Sequence, residues 1–188
     1  MTTQPVDRRQ LLLEQAAAWA LTHGIAQLSL RPLADALGTS ARMLLYHFTS
    51  RDLLLHAILD QLAATWPSAI SPMEIPGLDP LVVLRIAWHR ELRAPDHLTR
   101  HAFAAEVHAL AIRTGDPALH AFTRKTRHIT QASVEALLRT DPRHDTPRAT
   151  LTAAHLTTAL DALLTRAASG DPTADQAFDE LLRLVHLS

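Results

Sequence analysis

The chain has 188 residues, 47% of them apolar, with 18 Lys and Arg against 19 Asp and Glu for a net charge of −1. That length holds one sizeable core or a small domain beside a larger one, and the absence of cysteine excludes disulfides, zinc–thiolate sites and thiol redox sensing. Five glycines, 4% aromatics and an excess of Ala and Leu favour helices almost throughout.

The first predicted helix runs from about Arg8 to His23, with Leu12, Ala16, Trp19 and Ala20 at helical spacing and Gly24 as its stop. A short helix opens at Leu30, where Ser29 is placed as its cap and Pro32 falls within the first turn. Leu33, Ala34 and Leu37 repeat at helical spacing, and Gly38 permits the change of direction that ends the run. Ser40 then caps a third helix, Ala41 to about His47. In it Leu44 and Phe48 share the inward face, while Arg42, Met43 and Tyr46 project elsewhere. Two short helices joined by a tight turn form a helix-turn-helix, and a small second helix with one exposed polar face suits a DNA major groove. Through residue 51 there are five Arg (Arg8, Arg9, Arg31, Arg42, Arg51) against three acids (Asp7, Glu14, Asp35). This end is therefore mildly basic although the chain is not, and phosphate binding by it should weaken steeply with salt.

Thr49-x-x-Asp52 resembles a capping box for a fourth helix through Leu53, Ile58, Leu59 and Leu62 to about Trp66. Residues 67–80, with four prolines and a glycine, predict a long loop. Asp79-Pro80, Asp116-Pro117 and Asp171-Pro172 each read as an N-cap followed by proline at the first helical position. Five further helices follow at about 80–93, 96–113, 117–140, 147–168 and 172–187. The first of these is apolar nearly all round and belongs in the middle of a bundle.

Gly24, Ser29-Leu30-Arg31, Leu33-Ala34, Leu37-Gly38-Thr39-Ser40, Leu44, Tyr46-His47-Phe48, Ser50-Arg51-Asp52 and Leu53-Leu54 together resemble the DNA-binding domain of the tetracycline-repressor (TetR) family of bacterial one-component regulators. One departure is Leu45, where the family usually carries a tyrosine; here Tyr46 follows it. The resemblance spans roughly the first third of the chain. It implies an all-α fold, with a helix-turn-helix DNA-binding domain over residues 1–50 and a helical bundle for ligand binding and dimerisation over residues 51–188. The function it implies is a ligand-responsive repressor that binds a palindromic double-stranded operator as a homodimer and is released by a small molecule.

Arg42, in the first turn of the second motif helix, is the candidate for reading guanine O6 and N7, and Met43 beside it offers apolar contact. Arg31 reaches a phosphate or a guanine edge, or pairs with Asp35. Tyr46, His47 and Arg51 match positions that touch backbone phosphates in the family. Thr39 and Ser40 serve the turn and cap first and phosphates second, with Ala41 opening the helix beside them. Arg8 and Arg9 read either as a minor-groove arm or as a solvated end. For the ligand pocket, Trp66, Trp88, Phe103 and Phe122 are candidates for an apolar lining or plain core, and Arg85, His89, Glu91, Arg93 and His108 for polar contacts. Leu156, Leu160, Leu163 and Ala167 form one apolar stripe, and Phe178, Leu181, Leu182 and Val185 another. Both pack inward or supply a dimer face, and the resemblance implies that these last two helices pair with their copies in a four-helix bundle.

Twelve histidines raise metal binding, with His97, His101 and His108 on one face of a helix, but no companion carboxylate shares that face and no metal or cofactor is expected. No Gly-rich phosphate loop, Gly-x-Ser-x-Gly elbow or repeated Glu-x-x-His pair occurs, so an enzyme is not expected. The competing reading is a helical metal- or small-molecule-binding protein or enzyme in which the helix-turn-helix is only a scaffold. With no charged-then-apolar leader and no apolar run near twenty residues, a reducing cytoplasm is the expected compartment, without membrane partners.

Overall fold

The computed structural model describes residues 8–26, 28–67, 78–141 and 146–187, and among them every regular element is an α-helix. In chain order these are α1 (Arg8–His23), α2 (Leu30–Ala36), α3 (Ala41–Phe48), α4 (Arg51–Thr65), α5 (Pro80–Arg93), α6 (His97–Thr114), α7 (Pro117–Leu138), α8 (Thr146–Ala168) and α9 (Ala174–Leu187). The predicted loop over 67–80 lies, from 68 to 77, outside the described residues. No described helix is long and apolar enough to cross a membrane.

Cap chemistry explains most boundaries. Asp79 Oδ1 accepts the Leu81 N–H at 2.7 Å, with Pro80 at the start of α5. Asp116 Oδ1 takes the N–H groups of Ala118 and Leu119 at 2.7 and 3.3 Å. Burial pushes the Asp116 carboxyl up, but these two donors and His56 outweigh it and hold the group below the usual range. The chain leaves α4 at Trp66 and α5 at Ala94, both extended, because Pro67 and Pro95 disfavour helical backbone in the residue before them.

Three boundaries differ from the sequence expectation. Ser29 has the extended backbone of an N-cap but makes no side-chain capping bond; Pro32, three residues on, lacks one of the N–H groups that such a cap uses. Thr49 does not cap α4. It sits at φ 68° and ψ −49°, between α3, which its N–H closes on Leu45 O, and Ser50, whose N–H reaches Phe48 O at 2.7 Å in a γ-turn. Ser50 is the cap instead, its Oγ accepting from Leu53 N–H at 3.1 Å. The third difference is at α9, which begins at Ala174; Asp171 closes the turn before it by accepting from the N–H and hydroxyl of Thr173.

The described residues fall into two compact units, one of those within 1–66 and 103–123 and the other of those within 67–102 and 124–188. In the first, Leu12, Ala16 and Ala20 of α1, Leu33 of α2, Leu44 of α3, Leu54, Ile58 and Leu59 of α4 and Phe103, Val107 and Phe122 form one buried cluster. Trp66 packs against it, its ring edge-on to Phe122 at 5.2 Å. The core of the three-helix head thus continues through α4 and takes in the later half of α6.

In the second unit Val83, Leu84, Ala87 and Trp88 of α5 share a cluster with Val134 and Leu138 of α7, Ala153, Leu156 and Leu160 of α8 and Phe178 and Leu182 of α9. Trp88 stacks on Phe178 with centroids 4.5 Å apart and donates Nε1–H to Asp175 at 2.7 Å. An aromatic ring with a polar edge is placed so that both ends are satisfied.

Candidate nucleic-acid interface

The turn between α2 and α3 is made by Gly38 at φ 62°, with the Thr39 N–H on Ala34 O at 2.9 Å; this left-handed backbone is what glycine permits. Ser40 is extended and its Oγ accepts the Met43 N–H at 3.2 Å, fixing the first turn of α3. Leu44 and Phe48 anchor the helix, being 0% and 4% exposed. Their burial leaves the opposite surface of α3 facing out: Arg42, Met43, Leu45 and Tyr46 are all exposed, Tyr46 at 78%. Arg42 is exposed and makes no hydrogen bond or ion pair among the described residues. Ala41 and Thr39 are half-buried beside this face, and Ser40 is exposed.

Arg31 is exposed on α2, and no pair with Asp35 forms. The structure gives two other arginines structural work. Arg51 turns its Nε back onto the Leu28 carbonyl at 2.7 Å and its Nη1 onto Asp52 at 3.2 Å. Arg9, at the start of α1, donates Nε–H to the His47 carbonyl at 3.3 Å and lies over the Phe48 ring at 5.0 Å. A cation there favours the C-terminal end of α3, and places Arg9 on the fold rather than on an arm. The His47 Nε2 atom is buried with no hydrogen-bond partner, its ring edge-on to Tyr46 at 5.1 Å.

One contributor carries no signal in the sequence. Glu106 of α6 accepts the backbone N–H groups of Ile25 and Ala26, at 3.1 and 2.7 Å, in the link that leads into α2. Only a partner 80 residues away in the chain reveals its role.

The residues named for a ligand pocket divide between the units. Trp66, Phe103 and Phe122 form the aromatic cluster of the first, where the two phenylalanines are buried core; His108 is exposed on α6. In the second, Trp88 is core, Arg85 pairs with Asp179 at 3.2 Å, and His89 and Arg93 line an open depression with Ile86, Arg90 and Ala94. Glu91 is buried against Arg100, which also holds Asp96. Burial pushes the Glu91 carboxyl up, yet His101 and Arg100 more than offset this and keep it below the usual range. His97 and His101 lie with ring centroids 6.2 Å apart, and no group of three or more metal-ligating side chains occurs among the described residues.

The stripes named for a dimer face are turned inward. Leu156, Leu160 and Leu163 of α8 and Phe178 and Leu182 of α9 are buried in the core of the single chain, with Ala167, Leu181 and Val185 half-buried against it. Amphipathic spacing marks a face that is covered, and here α8 and α9 cover each other's. Among the described residues the large apolar side chains exposed on these helices are Leu151 and Leu184, 61% and 64% exposed.

Residues 12–58, which run from α1 into α4 and contain α2 and α3, match the family model of bacterial regulatory proteins of the TetR family. Solved structures resemble the chain over nearly its whole length. A transcriptional regulator from Rhodococcus sp. Rha1 is 23% identical over 95% of each chain, with a TM-score of 0.72. Salmonella enterica GusR is 18% identical over 96% of this chain and 95% of its own, with a TM-score of 0.68. The multidrug binding protein EbrR, solved in complex with proflavin, is 25% identical over 95% of this chain and 99% of its own, with a TM-score of 0.66. No curated protein sequence matches the chain.

Proposed function

We propose that the chain is a transcriptional regulator of the TetR family, whose family model matches residues 12–58, and that it is a repressor that binds a palindromic operator as a homodimer and leaves it when a small molecule binds. The observation that carries this reading is the surface of α3: two large side chains bury one face, and Arg42, Met43 and Tyr46 are left outward on a helix of eight residues. A short helix so anchored enters a major groove with its first turn against base edges. Arg42 is the base reader, Met43 and Leu45 offer apolar contact to thymine methyls, and Tyr46 and Arg31 touch the backbone. Arg51 contributes chiefly by holding the link before α2.

Two heads on a two-fold operator require two copies, and the inward packing of the α8 and α9 stripes moves the proposed dimer surface to the outward side of those helices, around Leu151 and Leu184. A small-molecule effector is supported by the likeness to EbrR, which was solved with proflavin, and acts by binding one arrangement of the protein better than the other. The exposed groups around the α5 depression, His89 and Arg93, remain the polar candidates for it.

The test is selection of bound sequences from random duplex DNA by the purified chain at two salt concentrations. Enrichment of a two-fold symmetric site, with affinity that falls as salt rises, is the expected result. Salt-sensitive binding without any enriched sequence would overturn the operator reading.

A further inference from the structure

We propose that Glu106 is a positioning residue for DNA binding, fixing the link between α1 and α2 from which the helix-turn-helix is aimed; this rests on the DNA-binding reading above. α1 ends with the Gly24 N–H on Ala20 O, and α2 does not begin until Leu30. The N–H groups of Ile25 and Ala26 fall in the gap, beyond the bonding of either helix, and Ile25 is 2% exposed. A backbone amide of a buried residue in such a position needs a partner, and the Ile25 amide is the buried one of the two, Ala26 being exposed. Glu106 Oε1 is that partner for both, at 3.1 and 2.7 Å.

Two consecutive amides converge on one oxygen just after Gly24, whose φ of 79° turns the chain there. Gly24 is needed there twice over. Besides its backbone angle, a Cβ added to it would lie 2.5 Å from Glu106 Oε2 and 2.9 Å from Oε1, so the carboxylate would have to shift from where it stands. Glu106 is itself held in place, since Phe103 and Val107 on the same helix are 2% and 0% exposed in the core shared with α1 and α4. At its other end the link is held by Arg51, on the Leu28 carbonyl. An acid and a base, each from a different helix, thus fix the two ends of the segment that sets where α2 starts and where Arg31 lies.

Glu106 faces backbone rather than solvent-side groups of α3, so it has no base preference to lose. Its removal should weaken binding to every duplex alike. Gln keeps an acceptor oxygen where Oε1 stands, whereas Ala keeps none, which separates a positioning role from general damage to the core.

The experiment compares the full chain with E106A and E106Q, by amide hydrogen exchange and by titration with the duplex selected above and a scrambled one. In E106A the Ile25 and Ala26 amides are expected to exchange roughly 10- to 100-fold faster, the range for losing hydrogen bonds to a charged group. Affinity for both duplexes should fall at least about fivefold. E106Q should recover most of both properties. Unchanged DNA affinity in E106A, or E106Q as defective as E106A, would overturn the positioning role while leaving the DNA reading intact. Failure of the wild-type chain to bind any duplex would overturn the DNA reading itself, and the proposal with it, whatever the exchange rates show.

Discussion

Arg42 and Arg51 carry the same charge nine residues apart, yet the structure assigns them opposite consequences when truncated to alanine. Arg42 is exposed and touches no described residue through a hydrogen bond or ion pair, and alanine is a good helix former, so R42A should leave folding stability within about 0.5 kcal/mol. In the proposed base-reading role it would remove a bidentate contact with guanine, about 1–3 kcal/mol of discrimination, which is roughly 5- to 150-fold in affinity for the selected site. Arg51 is the converse. Its Nε holds the carbonyl of Leu28, a residue 2% exposed, and R51A leaves that carbonyl without its partner. A lost bond to a buried polar group costs about 1–3 kcal/mol; with the arginine side chain itself 44% exposed, water replaces part of it and about 1 kcal/mol is expected. The Asp52 pair adds little, since Asp52 is 77% exposed. Urea unfolding gives the stability changes, and titrations with the selected and a scrambled duplex at two salt concentrations give the binding changes. R42A should lose affinity for the selected duplex alone, and R51A should lose stability together with affinity for both. If R42A weakens both duplexes equally, or destabilises the fold as much as R51A does, the assignment of α3 as the base-reading helix is wrong.

Three other perturbations probe the scaffold. Glu91 sits below its ordinary value of 4.5, so its contribution to stability is complete above about pH 4.5 and is lost as pH falls from there through the lowered folded value. E91Q should flatten that acid limb in a denaturation series followed by circular dichroism, and an acid limb identical to wild type would remove Glu91 from the account. Trp88→Phe keeps the stack on Phe178 and loses the bond to Asp175, so calorimetry should show a loss of about 1 kcal/mol; a loss several times larger would mean that the indole packs in a way the stack does not describe. Thr49 has positive φ, alone among the described non-glycine residues. Thr49→Gly relieves strain of about 1–3 kcal/mol against the roughly 0.5–1 kcal/mol entropy cost of glycine. Urea unfolding should therefore show stabilisation by about 1 kcal/mol, and destabilisation would show that the threonine side chain compensates.

What the sequence determined by itself was local. Apolar spacing placed the helices, and Asp79, Asp116 and Ser40 act as the caps that their positions before Pro80, Pro117 and Ala41 announced. The division of α3 into a buried face at Leu44 and Phe48 and an outward face at Arg42 and Tyr46 was also legible, because a helix of known period allows one face inward. Even locally the reading failed where two rules met: Pro32 took a donor from the expected cap at Ser29, and the γ-turn at Thr49 moved the cap of α4 to Ser50.

Tertiary structure alone decided which partner each side chain has. Period shows that a stripe is covered, never by what, and so Leu156, Leu160 and Phe178 were compatible with a face between copies until the packing of α8 on α9 enclosed them. Charge shows that Arg51 and Arg9 are cations, and only the fold turns them onto Leu28 and His47. Glu106, Gly24 and Trp88 owe their roles to contacts across 80 or more residues. Nothing in a residue's neighbours along the chain encodes such contacts, since a side chain's energy depends on the atoms that folding brings to it.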